Sequence, residues 1–108
     1  MQKVYQVRDV TTIRELCESS CDLYRDNIAF LWRSKETVTQ KTYGEVGADV
    51  VALATYLCSL GLSGKTVAVM GQNSYAWALT YLAVCSGVGV ILPIDRDLNA
   101  EQLSYVLH

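Results

Sequence analysis

Three places in the 108-residue chain combine residue types that could do chemistry. The first is Gly71-Gln72-Asn73-Ser74, which follows the β-branched run 66–70 and precedes an apolar stretch. A strand handing over to a helix there leaves backbone N–H groups unpaired and turns the positive end of the helix dipole toward the loop. Such a junction can take a phosphate or another anion. The spacing matches neither phosphate-loop pattern, however. Residues 71–76 read G-Q-N-S-Y-A, without the second and third glycines of a dinucleotide fingerprint, and no Gly-Lys-Ser/Thr follows Gly71. Asn73 and Ser74 are also the residue types that cap helices, and capping alone accounts for them. Gly87-Val88-Gly89 lies after a helix and before a strand, the reverse of what cradling a phosphate requires.

The second place is Cys17 and Cys21, spaced so that a helix puts both thiols on one face. Zinc would need two further ligands, and the only histidine is the last residue, His108. Cys17, Cys21, Cys58 and Cys85 each sit in an apolar pattern, where a free thiol packs as a small hydrophobe. Unpaired thiols fit a reducing cytoplasm. The third place is Asp95 and Asp97, two carboxylates in a polar loop, where aspartates that set the turn are the simpler reading than a general-acid pair. Lys65 reads as a solvated end. Tyr43, Tyr56, Tyr75, Tyr81 and Tyr105 occupy helical positions where half-buried packing is the default. A nucleophilic triad lacks its base, because His108 is at the chain end. From the residues, catalytic, cofactor-binding and metal sites are therefore all expected to be none.

The elements that must position these groups follow from capping and periodicity. Thr12-Ile13-Arg14-Glu15 fits a capping box for a helix to about Arg25. Residues 28–33 and 38–41 read as a hairpin joined by four polar residues. Thr42-Tyr43-Gly44-Glu45 is a second box, and Val46, Val50, Leu53, Ala54, Leu57 and Leu60 trace an apolar stripe up to Gly61 at the C-cap. Residues 66–70 predict a strand. Asn73 or Ser74 then caps a helix to about Ser86, apolar nearly all round, with Gly87 at its C-cap. Val88 to Leu92 predicts a strand closed by Pro93, residues 94–98 a loop, and Asn99 with Gln102 a box for a last helix. Strands alternating with helices imply right-handed crossovers. The expected fold is α/β, a partial parallel sheet with flanking helices plus a small antiparallel hairpin. It forms one domain over 1–108, with an entry helix and hairpin (1–41) and an αβαβα unit (42–108).

Hydrophobic residues make up 51% and charged residues 19%, with a formal net charge of −2 and no basic stripe, so nucleic acid is not an expected partner. Mean hydropathy is +0.18, and the apolar run near 76–85 is too short to span a bilayer. Met1-Gln2-Lys3 leads into a polar segment, unlike a signal peptide.

Taken in order, "KTYGEV" (41–46), "SLGLSGKTVAVMGQNSYAW" (59–77) and "CSGVGVILPIDRDLNAEQLSYVL" (85–107) resemble the opening of the adenylate-forming, AMP-binding acyl-CoA synthetases. Thr42, Tyr43, Glu45 and Val46 match its Thr-Tyr-x-Glu-Leu motif. Asn73, Ser74 and Trp77 match its Asn-Ser-x-x-Trp turn. Gly87, Pro93, Ile94 and Asp95 resemble its Gly-x-x-x-x-Pro-Ile/Leu-Asp stretch, with a five-residue strand to Leu92 where the motif has four residues and Cys85-Ser86 in place of the usual Lys-Ala. The segment "TIRELCESSCDLYRDNIAFLWR" resembles the entry to long-chain fatty acyl-CoA ligases. The resemblance implies an ATP-dependent, two-step ligase. A carboxylate attacks ATP to give an acyl-adenylate and pyrophosphate, and coenzyme A takes the acyl group. ATP, magnesium and coenzyme A are implied for the full-length enzyme. The family's phosphate loop, magnesium-binding acid, ribose-binding aspartate and C-terminal lysine have no counterpart here. The matched residues are, in that family, largely scaffold. The implied partner is the remainder of the polypeptide, with pairing to a second copy as a further expectation. A free-standing nucleotide-binding or homodimerising module is the alternative.

Overall fold

The computed structural model describes residues 8–107; the expectations placed on Met1 to Lys3 and on His108 lie outside the described residues. The elements run α1 (Ile13–Leu23), β1 (Ile28–Ser34), β2 (Thr37–Thr42), α2 (Tyr43–Ser59), β3 (Thr66–Met70), α3 (Tyr75–Ala83), a π-helical turn (Val84–Val88), β4 (Val90–Ile94) and α4 (Ala100–Leu107). β1 and β2 form an antiparallel hairpin, and β3 and β4 form a parallel pair. The partial α/β layout expected from the sequence is thus present.

Capping chemistry sets the helix starts. At α2 the Thr42 hydroxyl accepts from the Glu45 N–H at 3.2 Å, and the Glu45 carboxylate accepts from the Thr42 N–H at 2.9 Å. Asn99 and Gln102 make the same reciprocal pair before α4. At α1 only half of the expected box forms. Thr12 accepts from the Glu15 N–H, but the Glu15 carboxylate goes one residue further back, to the N–H and hydroxyl of Thr11. Thr11 offers two donors to one carboxylate oxygen, and that pairing wins.

Three strand and loop boundaries depart from the sequence reading. The hairpin connection is two residues, Lys35 and Glu36, because Lys35 takes a left-handed φ of 57° and completes a tight turn. β4 is displaced two residues toward the C-terminus: Pro93 lies within it, opposite Val69, instead of closing it at Leu92. Proline lacks a donor, which an edge strand tolerates. Ile94 accordingly belongs to the strand, pairs with Met70 and is buried, instead of opening the loop.

The core joins Val46 and Val50 of α2 to Ala83 of α3, with Cys17 and Cys21 of α1 and Phe30 of β1 packed against them. α1 lies close on α2: a Cβ on Gly47 would stand 3.0 Å from the Cys21 Cβ. Val84 and Val88 of the π turn are fully buried. Leu60, at the end of the predicted α2 stripe, is exposed instead, as are Cys58, Tyr56 and Tyr105. Cover runs out beyond the core. Val90 is 62% exposed and Met70 42%, although parallel sheets are normally covered on both faces.

Candidate functional site

The parallel register of β3 and β4 sets their C-terminal ends side by side, with Met70 opposite Ile94. The two loops that leave those ends form the walls of one cleft of about 400 Å³. Gly71, Gln72 and Asn73 line one side, Ile94, Asp95, Arg96 and Asp97 the other, and Trp77 reaches in from the first turns of α3. A crevice outside the carboxyl ends of parallel strands is where open α/β sheets bind their ligands.

Of the residues singled out in the sequence, the structure brings Asn73, Trp77 and Asp95 together in this cleft. Ser74 borders it as the cap of α3, its hydroxyl accepting from the Trp77 N–H at 3.2 Å. Pro93 lies one residue inside the strand that feeds it. Thr42, Tyr43 and Glu45 are elsewhere, spent on the start of α2. Gly87 sits at the end of the π turn with φ +128°, a backbone geometry that favours glycine, and so ends the helical path where the sequence placed its C-cap.

The electrostatics of the cleft give little to an anion. Asp95 and Asp97 bring two carboxylates against the single guanidinium of Arg96. Asp95 is occupied in a turn of its own, its Oδ1 accepting from the Asp97 N–H at 2.9 Å. Among the described residues no group of three or more His, Cys, Asp or Glu could hold a metal ion. The donor set here does not fit a magnesium site, and no step through that ion can be assigned to these residues.

Cys17 and Cys21 line a separate apolar cavity of about 270 Å³ between α1, the hairpin, the start of α2 and α3. Burial pushes the Cys17 thiol up to about 11, and the adjacent Cys21 adds to that. A thiol so held is protonated and inert at neutral pH. All four cysteines are free.

Sequence reasoning did not foresee one further cluster. The Tyr75 hydroxyl donates to Asp49 Oδ2 at 2.6 Å, and the same oxygen pairs with Lys41 Nζ at 3.0 Å. The Tyr75 ring stacks on Trp32 at 5.3 Å and meets the Phe30 edge at 5.1 Å. Burial and the Asp49 carboxylate raise the Tyr75 hydroxyl, while the bonds from Tyr75 and Lys41 hold Asp49 below the usual carboxylate range. These partners come from β1, β2, α2 and α3. The only sequence signal was an acid on the flank of α2 and a tyrosine just past a cap.

Fold and cleft together define an α/β piece organised around the carboxyl ends of two parallel strands. The model of the AMP-binding enzyme family matches residues 17–108, and the chain belongs to that family. It is 34% identical over 67 residues to the mitochondrial medium-chain acyl-CoA ligase ACSF2 of Pongo abelii, an alignment covering 61% of this chain and 11% of the relative. It is 33% identical over 69 residues to the D-alanine–D-alanyl carrier protein ligase of Streptococcus pneumoniae, covering 63% of this chain and 13% of the relative. The chain therefore spans only about a tenth of the length of these curated relatives. Among solved structures, the N-terminal subdomain of Klebsiella oxytoca NpsA superposes with a TM-score of 0.80 at 19% identity, over 91% of this chain and 25% of that one. The N-terminal domain of FACL13 from Mycobacterium tuberculosis gives 0.79 at 23% identity, over 91% of this chain and 24% of that one. These two likenesses concern the fold.

Proposed function

We propose that residues 1–108 are a single N-terminal subdomain of an ATP-dependent fatty acid–coenzyme A ligase, and that they serve it as scaffold. The full enzyme would join a carboxylate to ATP with loss of pyrophosphate and pass the acyl group from AMP to a thiol. The ligase names of the curated relatives support that reaction class, and ATP, magnesium and coenzyme A come with it. The role of these residues is to place the two loops at the strand ends and to offer apolar flanks to the rest of the polypeptide. Thr42, Tyr43 and Glu45 start α2, and Asn73, Ser74, Trp77, Pro93 and Asp95 shape the cleft.

The observation that carries this reading is the incompletely covered parallel sheet, with Val90 and Met70 exposed although Val69 and Ile94 are buried, in a chain whose relatives are many times longer. The partner that covers it is then the remainder of the same polypeptide, in a cytoplasmic enzyme. Incubated with ATP, magnesium, coenzyme A and palmitate, the 108-residue chain should release pyrophosphate no faster than a protein-free blank. Release above that blank overturns the scaffold assignment. The exposed Tyr105, Val106 and Leu107 of α4 favour pairing with a second copy as the alternative. Sedimentation as a monomer across micromolar concentrations would dispose of it. A free-standing nucleotide-binding module predicts a rise in melting temperature with millimolar ATP or AMP, and no shift would rule that out.

A further inference from the structure

We propose that Asp49 is a positioning residue for the cleft, acting through Tyr75 to hold the Gly71–Ser74 loop in place. Tyr75 is the first residue of α3, directly after the Ser74 cap and two residues after the cleft-lining Asn73. Its hydroxyl is tied to Asp49 on α2 at 2.6 Å, and Asp49 is tied in turn to Lys41 on β2 at 3.0 Å. The Tyr75 ring lies against Trp32 of β1 at an interplanar angle of 9°, with Lys41 Nζ 5.7 Å from its centroid. The first turn of α3 is therefore clamped by side chains from three other elements. The loop before it has no comparable anchor of its own: Gly71, Gln72, Asn73 and Ser74 are all exposed.

The physical consequence is directional. A helix start held on one side by a charge-assisted bond and two aromatic contacts cannot tilt without breaking them, so the loop that enters it inherits the same restraint. Removing the acceptor frees the hydroxyl, leaves Lys41 without its partner and lets the first turn fray. Hairpin and cleft, which share no sequence proximity, are in this way one mechanical unit. The proposal concerns the shape of the cleft and does not depend on the ligase reading.

The test is native-state hydrogen exchange of the 108-residue chain. Exchange reports local opening, so a restraint that acts on the first turn of α3 must be visible there and not everywhere. The reporters are the Trp77 N–H, which donates to Ser74 Oγ, and the Ala78 N–H, which donates to the Ser74 carbonyl. The Val90 N–H, bonded to the Lys65 carbonyl in the β3–β4 ladder, is the reference. Asp49→Ala should speed exchange at Trp77 and Ala78 by about tenfold relative to Val90, the size expected for losing one bond to a charged group. Asp49→Asn, which keeps an acceptor for the tyrosine hydroxyl, should recover part of that loss. Tyr75→Phe keeps the aromatic stack and so tests the hydroxyl alone, with the same direction expected even if Asp49→Ala does not fold. Equal acceleration at all three amides, or none at Trp77 and Ala78 in Tyr75→Phe, overturns the proposal.

Discussion

Gly89→Ala is expected to be the most damaging glycine-to-alanine change in the chain. Its φ of 179° is ordinary extended backbone, so an alanine there would suffer no conformational strain. The cost is steric. A Cβ at position 89 would fall deep inside van der Waals contact with the Lys65 carbonyl oxygen and 3.1 Å from the Lys65 N and C atoms. These are backbone atoms and cannot rotate away. They also form the ladder that opens the parallel sheet: Val90 N–H donates to the Lys65 carbonyl at 2.9 Å, and Gly64 N–H donates to the Val88 carbonyl at 2.7 Å. Relief requires the strands to part at this end. Overpacking of this kind costs about 1–3 kcal/mol. Each ladder bond lost adds about 1 kcal/mol, while the lower unfolded-state entropy of alanine returns about 0.5 kcal/mol. The net loss is about 3 kcal/mol, which for a domain near this size lowers the melting temperature by roughly 10–20 °C. Gly61→Ala is the control. Its φ of +83° is unfavourable for alanine, but nothing lies within 4 Å of its Cβ. It should cost only about 1 kcal/mol, the left-handed penalty alone. Thermal melts followed by circular dichroism, with urea midpoints alongside, compare the two. A Gly89→Ala melt within about 2 °C of the parent, or a Gly61→Ala melt below that of Gly89→Ala, refutes the steric reasoning.

Other outcomes follow from the same structure. Thr42→Ala removes the hydroxyl half of the α2 box and should cost about 1 kcal/mol, read as a drop in urea midpoint with an unchanged slope. Asp49 is held below its ordinary value of 3.8 in the folded chain, so its contribution is full above that value and is lost as pH falls through the lower, folded one. The parent should therefore lose melting temperature on acidification in that range, and Asp49→Asn should flatten the loss. Cys58 is exposed whereas the Cys17 thiol is held up to about 11, so iodoacetamide at pH 8 should label Cys58 first and Cys17 at least about tenfold more slowly, as peptide mass spectrometry would show.

Local chemistry wrote the helices and much of the sheet directly into the sequence. The Thr42–Glu45 box, the Asn99–Gln102 box, the Ser74 cap and the strand at 66–70 each depend on residues within a few positions of one another, and each stands where periodicity and capping placed it. The resemblance carried by those motifs led to the AMP-binding enzyme family. Features that depend on a partner distant in the chain were not legible. β4 slipped to Val90–Ile94 because its register is set by β3, not by Pro93. Tertiary structure alone brought Asn73 and Trp77 to face Asp95 across one cleft, since only parallel pairing aligns the two strand ends. It also joined Lys41, Asp49 and Tyr75, which no spacing rule connects, because their meeting point exists only once the hairpin has folded onto α2 and α3.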